Sequence, residues 1–366
     1  MAGLCRRWLA CLPFLVAVPI DLYTWQAPHN TWILKVPFRS VWPVLVAEPP
    51  PDMRPLPLPA NHQSLALPAG ARMPMSGIGL CCRVTAVGRD VYNTVLWFLL
   101  SGGRHLDTAE GYLNHREVGQ AVREAMRRGV PREEIFVTTK LLPMHYGARL
   151  VDSRVPSMLR ELGLDYVDLL LMHAPGVPSK VVTPLGLNLE SCGPTPRECR
   201  RETWLALAKH RERGLVRNLG VSNFGPRQME DIASLNSAPI AVNQLEFHPW
   251  VPEPHRKAVE WCHRHGVAVT AYCSVGGPET SQKVLRRSLM KKLGAAHGRT
   301  GSQALLRWAV QSNISVIPGT SSVDHMKENL DIFGFRLTEE EMALLDSEEQ
   351  NKLLRSRYVE IPDEFE

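Results

Sequence analysis

Four polar residues stand near the ends of apolar stretches, and their types suit proton transfer. Asp107 closes Arg104-His-Leu-Asp107, and Tyr112 follows shortly in Asp107-Thr-Ala-Glu-Gly-Tyr112. Lys140 ends Ile135-Phe-Val-Thr-Thr-Lys140, and His173 ends Val167-Asp-Leu-Leu-Leu-Met-His173. A tyrosine hydroxyl titrates at about 10 in water, so alone it is a reluctant proton donor or acceptor at neutral pH. A lysine cation close by favours the phenolate and is expected to lower that pKa. An aspartate beside the lysine keeps it charged and positioned, and a histidine opposite can hydrogen-bond a substrate oxygen. Together they make a general acid aimed at a carbonyl oxygen. Such a site suits hydride addition to the carbonyl carbon while Tyr112 protonates the oxygen. Taken singly, each has a plainer reading: Asp107 as a cap, Lys140 as a solvated strand-end residue, His173 as a satisfied core histidine. The joint placement favours the chemistry.

Elements that could bring these groups together are readable in the pattern. Strands are expected at 76–80, 104–109, 135–141, 167–173, 216–222, 241–247, 267–273 and 314–318. Helices are expected at 89–101, 118–128, 149–162, 201–213, 228–235, 254–265 and 302–311, several ending near a glycine. A short hairpin around Pro68-Ala-Gly70 precedes the first strand. Strand and helix in alternation require a parallel sheet. Eight repeats over roughly 300 residues predict an α/β fold of the closed (β/α)8 TIM barrel kind, with an N-terminal β-hairpin closing the barrel bottom. The open doubly wound alternative usually carries Gly-x-Gly-x-x-Gly after its first strand. Here that turn reads Gly77-Ile-Gly79-Leu-Cys-Cys-Arg83 and lacks the third glycine. Barrels do their chemistry at the carboxyl ends of the strands, and neighbouring strands lie about 5 Å apart. Asp107, Lys140 and His173 would therefore converge, with Tyr112 reaching in from a loop.

Composition excludes several classes. At 44% apolar and 22% charged residues, the 366-residue chain reads as an ordinary soluble globular protein. The net charge of +5 is spread, with no long Lys/Arg run, so no nucleic-acid partner is expected. The eight cysteines show no C-x-x-C spacing, which predicts reduced thiols in an intracellular, cytoplasmic domain and no metal. Trp261-Cys-His-Arg-His-Gly266 reads as a helix end, with His263 and His265 on different sides. Residues 1–61 differ in texture from the rest: an apolar run at 8–20, then many prolines. The run is too short to span a bilayer, which takes about 20 residues. A poorly ordered Pro-rich extension at 1–61 and a barrel at 62–366 are the expected division, with no membrane association. A secretory or membrane-associated form remains the alternative carried by residues 6–20.

Motifs in order then add a resemblance. Asp107-Thr-Ala-Glu-Gly-Tyr112-Leu-Asn114, Glu117-Val-Gly119, Lys140 and Leu171-Met-His173 resemble the aldo-keto reductase family. So do Gly220-Val-Ser-Asn-Phe224, Val242-Asn-Gln-Leu-Glu-Phe-His-Pro249, Ala271-Tyr272, and Val316-Ile-Pro-Gly-Thr-Ser-Ser322 with Glu328-Asn329. The resemblance implies an NADPH-dependent reductase of small carbonyl compounds, with Tyr112 as proton donor, Lys140 and Asp107 tuning it, and His173 orienting the carbonyl. It implies that Ser222, Asn223 and Gln244 hold the nicotinamide carboxamide and Tyr272 stacks on the ring. Thr320, Ser321, His325, Glu328 and Asn329 would hold the adenosine end. Gly319 and His325 stand where many NADPH-preferring members carry lysine and arginine, so weaker discrimination against NAD is expected. Ala174 and Cys81 replace aromatic positions, which predicts a roomier pocket. The long, proline-bearing loop at 174–200 and a short tail from Arg355 would flank it. A monomer is expected. A catalytically weak cofactor-binding regulatory subunit is the second reading.

Overall fold

Eight parallel strands surround one apolar core, hydrogen-bonded in sequence order: β1 (Ile78–Gly79), β2 (His105–Asp107), β3 (Phe136–Leu141), β4 (Val167–Met172), β5 (Val216–Ser222), β6 (Val242–Glu246), β7 (Ala268–Tyr272) and β8 (Ile314–Val316). The computed structural model describes residues 23–26, 31–34, 45–83, 85–176, 180–182, 188–190 and 192–350. The expected apolar run at 8–20 and the tail from Arg355 lie outside the described residues. The barrel closes where Gly77 N donates to Val316 O (2.8 Å) and Val316 N donates to Met75 O (2.8 Å). Gly79 permits this closure, because a Cβ there would lie 2.7 Å from Ile317 O. Every residue of β3 is buried, as expected for strands covered on both faces. The hairpin Ser64–Ala66 with Arg72–Pro74 forms as expected.

Helices cover the barrel because their apolar residues recur at helical spacing. In α2 (His115–Arg127), Val118, Ala121, Val122 and Ala125 are buried and the outward face is charged. The others in the alternation are α1 (Gly88–Leu100), α3 (Ala148–Leu162), α4 (Pro196–Glu212), α5 (Pro226–Ala233), α6 (Glu253–Arg264), α7 (Gly277–Arg286), α8 (Ser288–Ala296) and α9 (Gly301–Gln311). After β8 come α10 (Val323–Leu330) and α11 (Glu339–Asp346). Helix α4 begins at Pro196, well before the expected 201, because Thr195 caps it by accepting from Glu198 N (3.2 Å) with proline in the first turn. Helices α7, α8, α10 and α11 were not among those expected from the alternation. For α11 the signal is present, since Thr338 and Glu341 form a capping box. The expected 174–200 loop contains an antiparallel pair, Lys180–Val182 with Asn188–Glu190.

One expectation is corrected here. The thiols are not all reduced: Cys81 is joined to Cys82 and Cys192 to Cys199 as disulfides, while Cys262 and Cys273 are free. The fold of the loop before α4 brings Cys192 within 5.1 Å (Cα to Cα) of Cys199, inside the range a disulfide spans. Neither pair has a spacing that marks it in sequence.

Residues 45–61, expected in a poorly ordered extension, lie along α1. Asp90 accepts from Leu45 N and Val46 N at 2.8 Å, and Trp97 Nε1 donates to Ala47 O (2.8 Å). Leu56 N donates to Leu100 O (2.9 Å), and buried Arg104 donates to Leu56 O (3.0 Å). Proline removes backbone donors but leaves carbonyls and neighbouring amides to pair with side chains. Among the described residues, no helix is long and apolar enough to cross a membrane.

Candidate active site

The carboxyl ends of β2, β3 and β4 deliver Asp107, Lys140 and His173 to one place. Lys140, 1% exposed, donates to Asp107 Oδ1 (2.6 Å), Thr108 O (3.0 Å) and Tyr112 OH (3.1 Å). Asp107, also buried, accepts on its other oxygen from Gln244 Nε2 (2.7 Å). Tyr112 arrives on a single 3-10 turn, Glu110–Tyr112. Leu113 ends that turn at φ 53. The Tyr112 and His173 rings meet edge to face, with centroids 5.8 Å apart. All four candidate catalytic residues are therefore brought together.

The electrostatics differ from the sequence expectation at one point. Burial raises the Tyr112 pKa above its ordinary value, and the neighbouring Lys140 only partly opposes it. The expected net lowering by lysine is thus reversed: removing a phenol from water disfavours phenolate more than one cation, itself paired to Asp107, favours it. Burial acts to lower the pKa of Lys140, but Asp107 and Tyr112 outweigh it and the net shift is upward, so the lysine is a cation at neutral pH. His173 is pushed down to about 3 by burial and by Lys140, which makes its imidazole neutral. Its Nδ1 is buried without a hydrogen-bond partner.

A second group adjoins the first. Ser222 ends β5 and donates to Gln244 O (2.9 Å). Asn223, at φ 65, donates to His173 O (3.1 Å) and accepts from Tyr272 OH (2.9 Å). Cys273, next to Tyr272, is likewise left-handed at φ 52. Left-handed non-glycine residues are costly and gather at functional sites. Here Leu113, Asn223 and Cys273 all follow strand ends or turns that carry candidate site residues. A third group is separate from these. Thr320, Ser321, His325, Glu328 and Asn329 lie on the segment after β8 and on α10. Thr320 Oγ1 accepts from Ser322 N (3.1 Å), and Ser322 caps α10 by accepting from His325 N (3.3 Å). The side chain of His325 is exposed, while Asn329 is buried and its carbonyl accepts from Ser76 (2.8 Å).

Sequence reasoning passed over several residues that shape the site. Buried Asn114 accepts from Thr108 (2.6 Å) and donates to Leu80 O and Ala86 O (3.0 Å each), tying the β1 and β2 loops together. Buried Glu110 accepts from Leu142 N (3.1 Å) and Arg154 (2.5 Å), so it fixes the turn carrying Tyr112 to the end of β3. Both lie inside the motif quoted from the sequence, where only the acid and the tyrosine drew notice. Arg83, in the loop between β1 and α1, was also passed over. Its Nη1 donates to Gly79 O (3.0 Å), while Nε and Nη2 are buried with no partner. In sequence it looks like any loop arginine.

Comparison with known proteins agrees with this geometry. The family model described as the aldo/keto reductase family matches residues 88–349. The 9,11-endoperoxide prostaglandin H2 reductase of Trypanosoma cruzi is 33% identical over 80% of this chain and 93% of its own length. Aldo-keto reductase family 1 member A1 of Mus musculus is 33% identical over 79% of this chain and 90% of its own. Among solved structures, an aldo-keto reductase from a deep-sea metagenome superposes with TM-score 0.70 at 30% identity, covering 82% of this chain and 99% of that one. The Bombyx mori aldo-keto reductase in complex with NADP gives 0.69 at 27% identity, covering 84% and 96%. With relatives of this identity matched over most of their length, the chain belongs to the aldo-keto reductase family and is an NADP-dependent oxidoreductase acting on carbonyl groups.

Proposed function

We propose that this chain reduces small aldehydes and ketones to alcohols, with Tyr112 as the proton donor. The observation that carries the assignment is the buried chain of bonds Gln244 to Asp107, Asp107 to Lys140, and Lys140 to Tyr112. Through it a charged lysine is held against the Tyr112 phenol, whose ring meets His173. Ser222, Asn223 and Gln244 would hold the nicotinamide end of the cofactor, with Tyr272 beside the ring. Thr320, Ser321, His325, Glu328 and Asn329 would hold the adenosine end. The buried, unpartnered donors of Arg83 at the same mouth suit an anionic cofactor. When bound, NADPH supplies the hydride.

The remaining work falls to side chains. Tyr112, held protonated by burial, presents its hydrogen to the carbonyl oxygen. As that proton leaves, charge develops on the phenol oxygen, 3.1 Å from the Lys140 ammonium, which stabilises it in a site already shaped for it. Asp107 keeps Lys140 from turning away. Neutral His173 can donate one hydrogen bond to the same carbonyl oxygen and so orient it. We place the enzyme in the cytoplasm as a monomer; fractionation and size-exclusion chromatography test both. The activity test is loss of reduced-cofactor absorbance when the full chain meets a panel of aromatic and short aliphatic aldehydes. Turnover with NADPH is expected, and none across the panel would overturn the reading.

A further inference from the structure

Arg83 is in a position that ordinary surface arginines do not occupy. Its guanidinium lies in the angle between the ends of β1 and β8, where Nη1 donates to Gly79 O (3.0 Å). A Cβ at Gly319 would fall 1.9 Å from that same Nη1, so the guanidinium fills the space that only glycine leaves at position 319. Its Nε and Nη2 are buried, and neither has an acceptor. Among the described residues no carboxylate forms an ion pair with it, and burial lowers its pKa to about 10. Orphaned donors of a buried guanidinium are costly unless something accepts from them. The neighbours of Gly319 are Thr320 and Ser321, both half-buried hydroxyl residues leading into α10.

We infer that Arg83 is the phosphate anchor of the cofactor site, its free Nε and Nη2 pairing with a phosphate of the dinucleotide beside Gly319. A guanidinium presents planar, paired donors that match phosphate oxygens, and Arg83 has two such donors unused. The inference rests on the cofactor reading above and adds to it a residue from the β1 end, the strand that meets β8 where the barrel closes and that lies far from α10 in sequence. Gly319 becomes a specificity position by its emptiness: any larger residue would push the guanidinium out. The side chain of His325 is exposed, whereas half-buried Arg83 keeps Nε and Nη2 out of solvent in this corner.

The test is equilibrium titration of NADPH and NADH into the full chain, followed by quenching of tryptophan fluorescence. Wild type is compared with Arg83→Met and with Gly319→Ala, which keeps the charge but displaces it. Arg83→Met is expected to weaken NADPH binding on the order of 10- to 100-fold, the range for losing charged hydrogen bonds. Gly319→Ala is expected to weaken it in the same direction and serves if Arg83→Met does not fold. Equal losses for NADH and NADPH place the guanidinium on the pyrophosphate; a loss confined to NADPH places it on the 2′-phosphate. A folded Arg83→Met that binds both cofactors as wild type does overturns the inference. A wild type that binds neither cofactor overturns the functional reading itself, and Arg83's role with it.

Discussion

Replacing Lys140 with methionine removes the cation at the centre of the site while nearly keeping its length. In the structure Lys140 and Asp107 are both almost fully buried and 2.6 Å apart, and among the described residues Gln244 is the other side-chain partner of Asp107. Breaking a buried ion pair by deleting one member costs about 3–5 kcal/mol, because the other charge is stranded. Lys140→Met should therefore lower the unfolding free energy by that much, read as a lower urea midpoint at an unchanged m-value. Asp107→Asn in the same background removes the stranded charge and should recover most of the loss. Turnover should behave differently. Without the ammonium, nothing stabilises the developing phenolate, and kcat should fall about 10²- to 10⁴-fold in the single and the double variant alike. Urea unfolding and NADPH consumption on the same preparations separate the two effects. A Lys140→Met protein as stable as wild type, or a double variant that regains turnover, would refute the coupling of these residues.

Three further outcomes follow from the same structure. Because His173 is neutral above about 3 and Tyr112 stays protonated past its ordinary value, kcat/KM for reduction should be level across neutral pH and fall only above about 10. An inflection near neutrality that His173→Gln abolishes would contradict the neutral histidine. Stability should be lost on both flanks. Lys140 and Tyr112 have raised folded pKa values, so their contribution is complete below about 10 and is lost as pH rises through those values. His105 and His173 are depressed to about 4 and about 3, so stability present above about 6.5 is lost as pH falls towards them. Removing residues 1–61 should lower the melting temperature, since it deletes the hydrogen bonds to Asp90, Trp97, Leu100 and Arg104 at about 0.5–1.5 kcal/mol each. An unchanged melt would show that this segment does not brace α1 in solution.

The strand ends were legible because buried parallel strands are continuous apolar runs, so a polar residue at the tip of one stands out. That is why Asp107, Lys140 and His173 could be named from Leu106, Val137 and Leu171 before them. The barrel was legible for the same reason, through the repeat of strand and helix. Other features were hidden where local sequence carries no contrast. The segment 45–61 looks like linker because its bonds run from backbone to side chains of α1, some 45 residues away in the case of Leu45 and Asp90. The Cys192 to Cys199 pairing depends on how the loop before α4 folds, not on a spacing. Tyr112's raised pKa depends on depth of burial, which the neighbouring lysine's charge alone does not disclose. Arg83 acquires meaning only beside Gly319, more than two hundred residues further along the chain.

The central claim is that Tyr112 gives the proton and that the other residues serve it. Tyr112→Phe removes one oxygen, which takes only the Lys140 contact away from a half-buried ring. Measured side by side, NADPH-dependent turnover should vanish while the NADPH dissociation constant from fluorescence quenching stays near that of wild type. Turnover that survives in Tyr112→Phe would mean the proton comes from another group and would contradict the account.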